Sequence, residues 1–170
     1  MCIRDRIRKL EKGEDFHGIY DALKSYAEIS DNDIIVVENE CPDYAYFGEL
    51  NTMLSIRSGA SATIVGGVTR DRDNVMKMNY PVFSKGYNCK DVRKRATLAN
   101  FNRTINVLGV TISPSDLIFA DNDGVVVIPV AYENKIMKAI IEKIGMENNV
   151  ASEIARYSNP LDIVEKIGEF

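Results

Sequence analysis

Two short, largely apolar segments separated by a helical pattern constrain the fold of this chain more than any other feature. Residues 34–37 read Ile-Ile-Val-Val, and residues 62–65 read Ala-Thr-Ile-Val. Runs of this kind, without polar alternation, are typical of strands that are buried on both faces. Residues 49–58 predict a helix that has an acidic residue in its first turn and ends at Gly59. The two strands and the helix between them together predict a βαβ-type crossover in a layered α/β domain.

The remaining chain adds helices towards both ends and a β-rich stretch in its second half. Residues 15–27 place apolar side chains at helical spacing. Between residues 104 and 129, short β segments alternate with turn residues, which predicts a β-meander. The other predicted elements are a short helix from Asp71 or Asp73 to residue 78, a strand at 80–83, and helices at 131–144, 150–157 and 161–167.

Composition excludes several classes of function. The net charge of −4 and the pI near 5.1 argue against nucleic-acid binding, and no apolar run approaches the ~20 residues of a membrane helix. The three cysteines form no C-x-x-C pair, which indicates reduced thiols in the cytoplasm rather than a disulfide framework. Because His17 is the only histidine, a histidine-based zinc site and a Ser-His-Asp triad are excluded. Any metal should therefore be a hard cation held by carboxylates and water.

The stretch that follows the second apolar segment is the first candidate site. Residues 66–73 read GGVTRDRD, directly after a predicted strand, where open α/β sheets bind their ligands. Two glycines allow a sharp turn or a close approach of the backbone to a ligand. Arg70 offers a planar fork for a carboxylate, and Asp71 offers hard oxygen for a divalent ion. Taken alone, such a charge run is usually a solvated turn, and that alternative stays open.

The start of the preceding helix is the second candidate site. Gly48-Glu49 opens that helix, and unpaired N–H groups at a helix start bind carboxylate or phosphate. Glu49 could simply stabilise the helix dipole. Alternatively it faces the same crevice as Arg70 and Asp71, which lies 22 residues after Glu49 and one crossover away. The two segments together are stronger evidence for a functional site than either segment alone.

Two further charged segments receive structural interpretations. Residues 121–124, Asp-Asn-Asp-Gly, lack the ligand order of a calcium-binding EF-hand, and their Asp-Gly step predicts a hairpin turn. Residues 90–95, KDVRKR, form a basic cluster in an acidic chain, which favours a solvated face over a nucleic-acid contact.

Two long segments together resemble a known family. GELNTMLSIRSGASATIVGGVTRDRDNVMKMNYPVFSKG and NRTINVLGVTISPSDLIFADNDGVVVIP are similar to the RraA-like family. That family includes aldolases for 4-hydroxy-4-methyl-2-oxoglutarate (HMG) and 4-carboxy-4-hydroxy-2-oxoadipate, and also regulators of ribonuclease E. The resemblance runs from about Lys9 to the end of the chain. It implies a swivelling β/β/α domain that assembles as a homotrimer or hexamer, with active sites between subunits.

The resemblance also implies a chemistry. Aldolases of this family are class II lyases, in which Mg²⁺ or Mn²⁺ holds the pyruvoyl part of a 2-oxo acid. Cleavage leaves a pyruvate enolate, whose charge needs a cation and an arginine. The same site would decarboxylate oxaloacetate, because that reaction passes through the same enolate. The alternative is a non-enzymatic regulator that binds ribonuclease E, and Asp71 counts against that branch.

The resemblance assigns roles to individual residues. Asp71 corresponds to the direct metal ligand, and Glu49 to the acidic residue that holds metal-bound water. Arg70 corresponds to the arginine that binds substrate and stabilises the enolate. The substrate carboxylate cradle is implied at Gly48 and at the backbone amides of Leu50 and Asn51. A loose alignment implies that a neighbouring subunit donates Glu147 to the metal.

The chain departs from the family pattern in two places. Many members have Asp where this chain has Gly66. Residues 1–6, MCIRDR, equal a translation of the sequencing adapter ATGTGTATAAGAGACAG, so we expect an assembly artefact there and an N-terminally truncated domain. The expected organisation is an artefact at residues 1–6, a catalytic domain at 7–145, and a helical extension at 146–170 that contacts a neighbouring subunit.

Overall fold

The computed structural model of the chain describes residues 2–156 and 159–167. It divides the protein into two compact units, Met1–Pro129 and Val130–Phe170. In chain order the strands are β1 (Cys2–Lys9), β2 (Ile34–Asn39), β3 (Ala62–Val65), β4 (Val68–Thr69), β5 (Val82–Phe83), β6 (Gly86–Tyr87), β7 (Ala96–Phe101), β8 (Ile105–Val107), β9 (Val110–Ile112), β10 (Leu117–Ala120) and β11 (Val125–Ile128). The α-helices are α1 (Glu49–Arg57), α2 (Arg72–Lys77), α3 (Glu133–Arg156) and α4 (Pro160–Ile167), and two 3₁₀ segments span Phe16–Glu28 and Val130–Tyr132.

A five-stranded sheet forms the centre of the first unit. Its strand order is β5-β3-β2-β1-β7, and only the β1–β7 pair is antiparallel. The predicted crossover is confirmed, because β2 and β3 are parallel neighbours and α1 lies between them in the chain. Sequence analysis missed β1 and β7. The segment expected to be an artefact supplies part of β1, and its origin stays a prediction.

The two central strands are buried on both faces, as their composition predicts. Ile35 and Val37 of β2 pack in a core with helical and loop residues, whereas Val36 packs on the opposite face with Ile64 of β3 and the β8–β9 hairpin. Each central strand therefore contributes to two cores, which explains why neither alternates apolar with polar residues. The result is a layered arrangement of hairpins, sheet and helical segments, in agreement with the expected β/β/α class.

The helix predicted at residues 15–27 is a 3₁₀ segment, Phe16–Glu28. Its buried residues are Ile19, Ala22 and Ser25, at a spacing of three, while Leu23 is exposed. A 3₁₀ helix has three residues per turn, so side chains at i and i+3 lie above one another. The α-helical pattern read from the sequence therefore selected the right segment and part of its buried face, since Ile19 and Ala22 are buried but Leu23 is not.

The β-rich stretch differs from the predicted meander. All four predicted segments are strands, but they pair as two separate hairpins, β8 with β9 and β10 with β11. Asp121 closes the second hairpin, since its N–H donates to the Gly124 carbonyl over 3.0 Å and its Oδ1 accepts from Asp123. Residues 121–124 are therefore a hairpin turn, as predicted.

The second unit consists of helices. The expected division into helices at 131–144 and 150–157 is wrong, because α3 continues through Gly145 to Arg156; residue 157 lies outside the described residues. Buried Glu153 joins α3 to α4 through a 2.6 Å contact with Lys166 Nζ. The expected boundary at 145/146 thus falls inside a helix. Among the residues that the structure describes, no helix is long and apolar enough to cross a membrane.

Candidate functional site

The candidate site forms where the segment before α1 meets the end of β4. Phe47 pairs with Thr69 in a parallel bridge. The Phe47 carbonyl accepts the N–H of Arg70 over 3.1 Å and the hydroxyl of Thr69 over 2.7 Å. This backbone contact lies one residue from Gly48 and immediately before Asp71. The start of α1 and the Arg-Asp pair are therefore held side by side.

One carboxylate oxygen of Asp71 contacts both Glu49 and Arg70. The Glu49 N–H donates to Asp71 Oδ2 over 3.1 Å, and Arg70 Nε lies 3.5 Å from the same oxygen. The Glu49 carboxylate is fixed in turn, since Asn74 Nδ2 donates to its Oε2 over 2.9 Å. The structure thus brings together three of the residues that the sequence singled out. It adds Asn74, which sequence analysis missed because it reads as an ordinary helix residue.

Gly48 makes this close approach possible. A Cβ at residue 48 would lie 2.6 Å from Asp71 Oδ2 and 2.9 Å from Arg70 Cγ, both well inside contact distance. Asp71 itself has a left-handed backbone, with φ 59° and ψ 34°, and its side chain makes no capping bond to α2. Asp71 therefore precedes the helix without capping it, and its carboxylate is turned towards Gly48 and Glu49 instead.

The opposite end of Arg70 is held by a residue that the sequence did not indicate. Arg70 Nη1 donates to Asp91 Oδ2 over 2.8 Å and to the Ala45 carbonyl over 3.2 Å. Asp91 is the single acidic residue of the basic run KDVRKR, which the sequence pattern assigned to a solvated face. The other charged side chains of the run agree with a solvated face, since Arg93, Lys94 and Arg95 are exposed and stack over Phe16 or Tyr44.

The first turn of α1 presents the amides that were predicted as a carboxylate cradle. The first helical hydrogen bond of α1 runs from Thr52 N to Gly48 O over 2.9 Å. The N–H groups of Leu50 and Asn51 precede that bond and have no helical acceptor. Because the Glu49 N–H is already given to Asp71, Leu50 and Asn51 are the amides left at this helix start for an anion.

Helix α1 buries polar side chains and exposes apolar ones. Its buried side chains are Thr52 and Ser55, whereas Leu50 is 74% exposed and Met53 and Leu54 are also exposed. An exposed patch of neighbouring apolar side chains is unusual for a monomer and is typical of an interaction site. This patch begins at Leu50, beside the candidate cradle.

A buried polar cluster lies behind the candidate site. Asp5, only 2% exposed, accepts hydrogen bonds from Tyr46 Oη over 3.2 Å and Ser25 Oγ over 3.4 Å. Asp5 Oδ1 has no hydrogen-bond partner in the described part of the chain. Burial raises the pKa of Asp5 to about 7, although its two hydrogen bonds act in the opposite direction. The Tyr46 carbonyl accepts from Asn51 Nδ2 over 3.0 Å, which connects the cluster to α1.

The glycine pair before Arg70 has a packing role. A Cβ at Gly66 would lie 3.0 Å from the Val37 carbonyl oxygen, and one at Gly67 would lie 2.8 Å from the Pro42 carbonyl oxygen. Neither glycine has a positive φ angle. The pair therefore lets the chain bend between β3 and β4 while it packs closely against β2 and Pro42.

The second Arg-Asp pair faces solvent. Arg72 Nη1 lies 3.3 Å from Asp73 Oδ1, and both side chains are more than half exposed. The Arg72 guanidinium also lies 5.6 Å from the centre of the Tyr87 ring. Within the described residues, neither side chain forms a hydrogen bond or an ion pair with Glu49 or Asp71. Arg72-Asp73 therefore matches the solvated alternative that the charge run left open.

The donor set fits a hard divalent cation with few protein ligands. The described residues contain no group of three or more His, Cys, Asp and Glu side chains that could hold a metal ion. Asp71 and Glu49 nevertheless supply two carboxylates on adjacent backbone, and Asp71 is 39% exposed. Mg²⁺ is commonly held by one or two carboxylates together with water and substrate. Glu147, predicted to come from a neighbouring subunit, lies exposed in α3 of the second unit.

A separate groove of about 910 Å³ lies away from these residues. Its walls come from β3, β5, β6 and the two hairpins, and they are mostly apolar; they include Ile64, Phe83, Tyr87, Val107, Val110 and Val126. None of Glu49, Arg70 and Asp71 lines it. The acidic and basic groups of the candidate site are therefore not part of this groove.

Comparison with known proteins identifies the family. The profile of the RraA-like family, described as Aldolase/RraA, matches residues 9–127. The chain belongs to the RraA-like family. It is 35% identical over 120 residues to protein DlpA of Legionella pneumophila, covering 70% of this chain and 19% of that protein. It is 32% identical over 123 residues to a Halalkalibacterium halodurans protein named provisionally as a 4-hydroxy-4-methyl-2-oxoglutarate aldolase, covering 71% of this chain and 58% of that protein.

Solved structures agree with this family at the level of fold. An uncharacterized protein from Pseudomonas syringae superposes with a TM-score of 0.81 at 22% identity, covering 95% of this RraA-like chain and 75% of the other. Streptomyces coelicolor RraAS2, described as an unusual member of the RNase ES inhibitor RraA family, gives a TM-score of 0.76 at 19% identity, covering 86% and 72%. The chain spans less than two thirds of the length of the curated relatives described above.

Proposed function

We propose that this RraA-like chain is a divalent-metal-dependent lyase that cleaves HMG-type 2-oxo acids to pyruvate and also decarboxylates oxaloacetate. The observation that carries the proposal is that one carboxylate oxygen of Asp71 contacts both the backbone N–H of Glu49 and the guanidinium of Arg70. Family membership and the aldolase name of a relative at 32% identity support the same reaction class. A solvated turn would not require a glycine at residue 48 to admit both Asp71 and Arg70.

The reaction requires one bond to break and one negative charge to be stabilised. In HMG, the 4-hydroxyl loses its proton and the C3–C4 bond breaks, which gives one pyruvate and the enolate of a second. In oxaloacetate, CO₂ leaves and the same enolate forms. Protonation of the enolate at carbon completes either reaction. The protein must therefore hold the 2-oxo acid, move a proton and stabilise the enolate oxygen.

The residues divide these tasks. The guanidinium of Arg70 stabilises the developing negative charge, and the amides of Leu50 and Asn51 bind the substrate carboxylate. Glu49 handles the proton, since Oε2 is bound by Asn74 while Oε1 accepts no hydrogen bond from any described residue. Asp71 would hold Mg²⁺ or Mn²⁺, with Glu49 nearby. The cation would supply a Lewis acid that polarises the 2-oxo group.

We further propose that the protein acts as a homo-oligomer in the cytoplasm. The exposed apolar side chains of Leu50, Met53 and Leu54 support a subunit contact beside the candidate cradle. A neighbouring subunit would then donate Glu147 to the same site. Together with Asp71 and Glu49, this would bring the number of carboxylates to three.

A metal-dependent assay tests the proposed function. The purified chain is incubated with HMG or oxaloacetate, and pyruvate is measured by coupling to lactate dehydrogenase. Pyruvate should form with Mg²⁺ or Mn²⁺, stop when EDTA is added, and resume when the metal is restored in excess. Undiminished turnover in EDTA would show that the proposed chemistry is wrong.

The same preparation tests the alternative function. A regulator of ribonuclease E would inhibit that nuclease at a stoichiometric ratio without cleaving 2-oxo acids. The assay therefore includes RNA cleavage by ribonuclease E with increasing amounts of the chain. Inhibition without pyruvate release would favour the regulator, whereas pyruvate release without inhibition supports the lyase.

A further inference from the structure

We propose that Asp91 is a positioning residue for the candidate site, because it fixes the guanidinium of Arg70 in the orientation that the reaction needs. This inference rests on the proposed function. Nothing in the sequence pattern singled out Asp91, which lies 21 residues after Arg70 in a run of basic residues.

Both carboxylate oxygens of Asp91 are engaged. Oδ2 accepts from Arg70 Nη1 over 2.8 Å, and Oδ1 accepts from the backbone N–H of Arg93 over 2.7 Å. One oxygen thus anchors the carboxylate to its own loop, while the other holds Arg70. A carboxylate bound on both sides has little freedom to rotate, so it gives Arg70 a fixed partner.

The backbone of Asp91 is tied to the segment that leads into α1. Ala45 and Asp91 form a parallel bridge, in which Ala45 N donates to Lys90 O over 2.7 Å and Val92 N donates to Ala45 O over 3.2 Å. The Ala45 carbonyl also accepts from Arg70 Nη1. Asp91 is therefore attached to the segment that leads into Gly48 and Glu49, and a shift of its loop would move Arg70 relative to both.

These contacts leave one side of the guanidinium for a ligand. Nη1 is held by Asp91 and Ala45, and Nε lies 3.5 Å from Asp71 Oδ2. Because the group is planar, the two acceptors on Nη1 and the ionic contact at Nε together restrict its plane. No described residue accepts a hydrogen bond from Nη2. An anion that approaches Arg70 would therefore meet Nη2 in a set orientation.

The charge of Asp91 makes the inference distinguishable from simple electrostatics. Arg70 lies between the carboxylates of Asp71 and Asp91, so removing Asp91 makes the surroundings of Arg70 more positive. If charge alone mattered, the loss of Asp91 would strengthen binding of an anionic substrate. If Asp91 positions Arg70, the loss lowers kcat, because misplacing a group that acts in the transition state costs rate.

Stability gives a second contrast. The side chains of Arg70 and Asp91 are 32% and 50% exposed, and an ion pair this exposed contributes little to the free energy of unfolding. A merely structural role would lower the melting temperature together with activity. A positioning role lowers kcat while the melting temperature stays the same.

Two variants of Asp91 separate its two bonds. Asp91→Ala removes both. In Asp91→Asn, the amide oxygen retains the bond from Arg93 N–H, but an NH₂ group replaces the acceptor that faces Arg70. Asp73→Ala is the matched control, since Asp73 is an exposed aspartate paired with Arg72. Steady-state kinetics on HMG and oxaloacetate with Mg²⁺ give kcat and KM, and thermal unfolding gives the melting temperature.

We expect kcat to fall about 10-fold in both Asp91 variants, the size typical of losing a residue that orients a catalytic group. KM should stay unchanged or fall, and Asp73→Ala should match the wild type. A wild-type kcat in Asp91→Asn with a reduced kcat in Asp91→Ala would assign the effect to the Arg93 bond and overturn the proposal. Wild-type kcat in both variants would also overturn it.

The orientation of Arg70 is measured independently of turnover. In ¹⁵N NMR spectra, the Arg70 side-chain Nε–Hε signal is assigned by its loss in Arg70→Lys. It should shift in both Asp91 variants and remain in place in Asp73→Ala; an unchanged signal in Asp91→Asn contradicts the inference. A wild-type protein without pyruvate release would show that the proposed function fails, whereas an active wild type with unaffected Asp91 variants shows that only this inference fails.

Discussion

Arg70-Asp71 and Arg72-Asp73 repeat the same two residues in the same order, and the fold places them in different surroundings. Arg70 contacts Asp71, Asp91 and the Ala45 carbonyl, whereas Arg72 contacts its neighbour Asp73 and the face of Tyr87. The first pair follows a strand end that is bridged to the segment before α1. The second pair belongs to the solvated first turn of α2. Side-chain identity and spacing are therefore not sufficient to predict a functional site. The two pairs differ because the neighbouring backbone places different residues within contact distance of each.

Removing one carboxylate from each pair should give the largest contrast. Asp71→Asn keeps the shape of the side chain and an acceptor for the Glu49 N–H, and Asn tolerates the left-handed backbone, so the fold should persist. Pyruvate release should fall about 10³-fold, or about 4 kcal/mol in transition-state stabilisation. Asp73→Asn should retain wild-type activity. Equal losses in the two variants would remove the distinction between the pairs.

Exchanging each arginine for lysine should give the next largest effect. Arg70→Lys cannot contact Asp91, Ala45 and Asp71 through a single ammonium, and it loses the planar fork that binds an anion. We expect kcat to fall about 10²-fold, as for the loss of one donor to a developing oxyanion. Arg72→Lys should leave kcat unchanged, as measured in the same pyruvate assay. A full rate in Arg70→Lys would mean that a positive charge alone is enough at this position.

A methyl group at the glycine beside the first pair should give a smaller loss. In Gly48→Ala, the new Cβ would press against Asp71 Oδ2 and Arg70 Cγ, so both side chains must move. Activity should fall about 10-fold, because small displacements of catalytic groups are costly. Gly145→Ala is the control: apart from the backbone of its own helix, no described atom lies within 4 Å of its added Cβ, and alanine favours a helix interior by up to about 1 kcal/mol. A loss of activity in Gly145→Ala but not in Gly48→Ala would contradict the geometry.

A third aspartate extends the comparison to a buried carboxylate. Burial raises the pKa of Asp5 from 3.8 to about 7, so its neutral form is favoured in the folded state. Between about pH 4 and pH 7, the Asp5 side chain therefore binds fewer protons in the unfolded state than in the folded state. The contribution of Asp5 to stability is therefore greatest below pH 4 and is lost as the pH rises towards 7.

Asp5→Asn should remove this pH dependence. At pH 8 the variant should unfold at a higher temperature than the wild type, since an uncharged amide costs less to bury than a carboxylate. At pH 4 the two proteins should unfold at similar temperatures. Asp73→Asn, at an exposed position, should show no such divergence when melting is followed by circular dichroism. A wild type that gains stability between pH 4 and pH 7 relative to Asp5→Asn would contradict the burial of Asp5.

Sequence reasoning located the parts of the fold that local pattern determines. The strand at residues 62–65 was predicted with its observed ends, because four residues buried on both faces leave a clear apolar run. Strand β1 was missed because its residues, CIRDRIRK, are mostly charged, and its place in the sheet depends on pairing with β2 and β7. Helix α3 was divided because Gly145 reads as a break, although an exposed glycine is tolerated inside a long helix.

The candidate site likewise combines residues that the sequence pattern indicated with residues that it did not. Glu49, Arg70 and Asp71 were chosen because one crossover separates the helix start from the segment after the next strand, and the structure does bring them together. Asp91 and Asn74 were not chosen. Asp91 reaches Arg70 through a bridge to Ala45 that spans 46 residues of sequence, and no local pattern encodes such a pairing. Asn74 can bind the Glu49 carboxylate only because of the direction in which α2 leaves Asp71.

The left-handed backbone of Asp71 has a consequence for protein engineering. Non-glycine residues adopt this conformation at a cost, which glycine avoids. A screen for heat resistance alone would therefore favour Asp71→Gly, which relaxes the backbone and removes the carboxylate in one step. Evolution of this chain towards thermostability should thus be selected on turnover as well as on melting temperature, since one of the positions that glycine would relax is the one proposed to bind the metal.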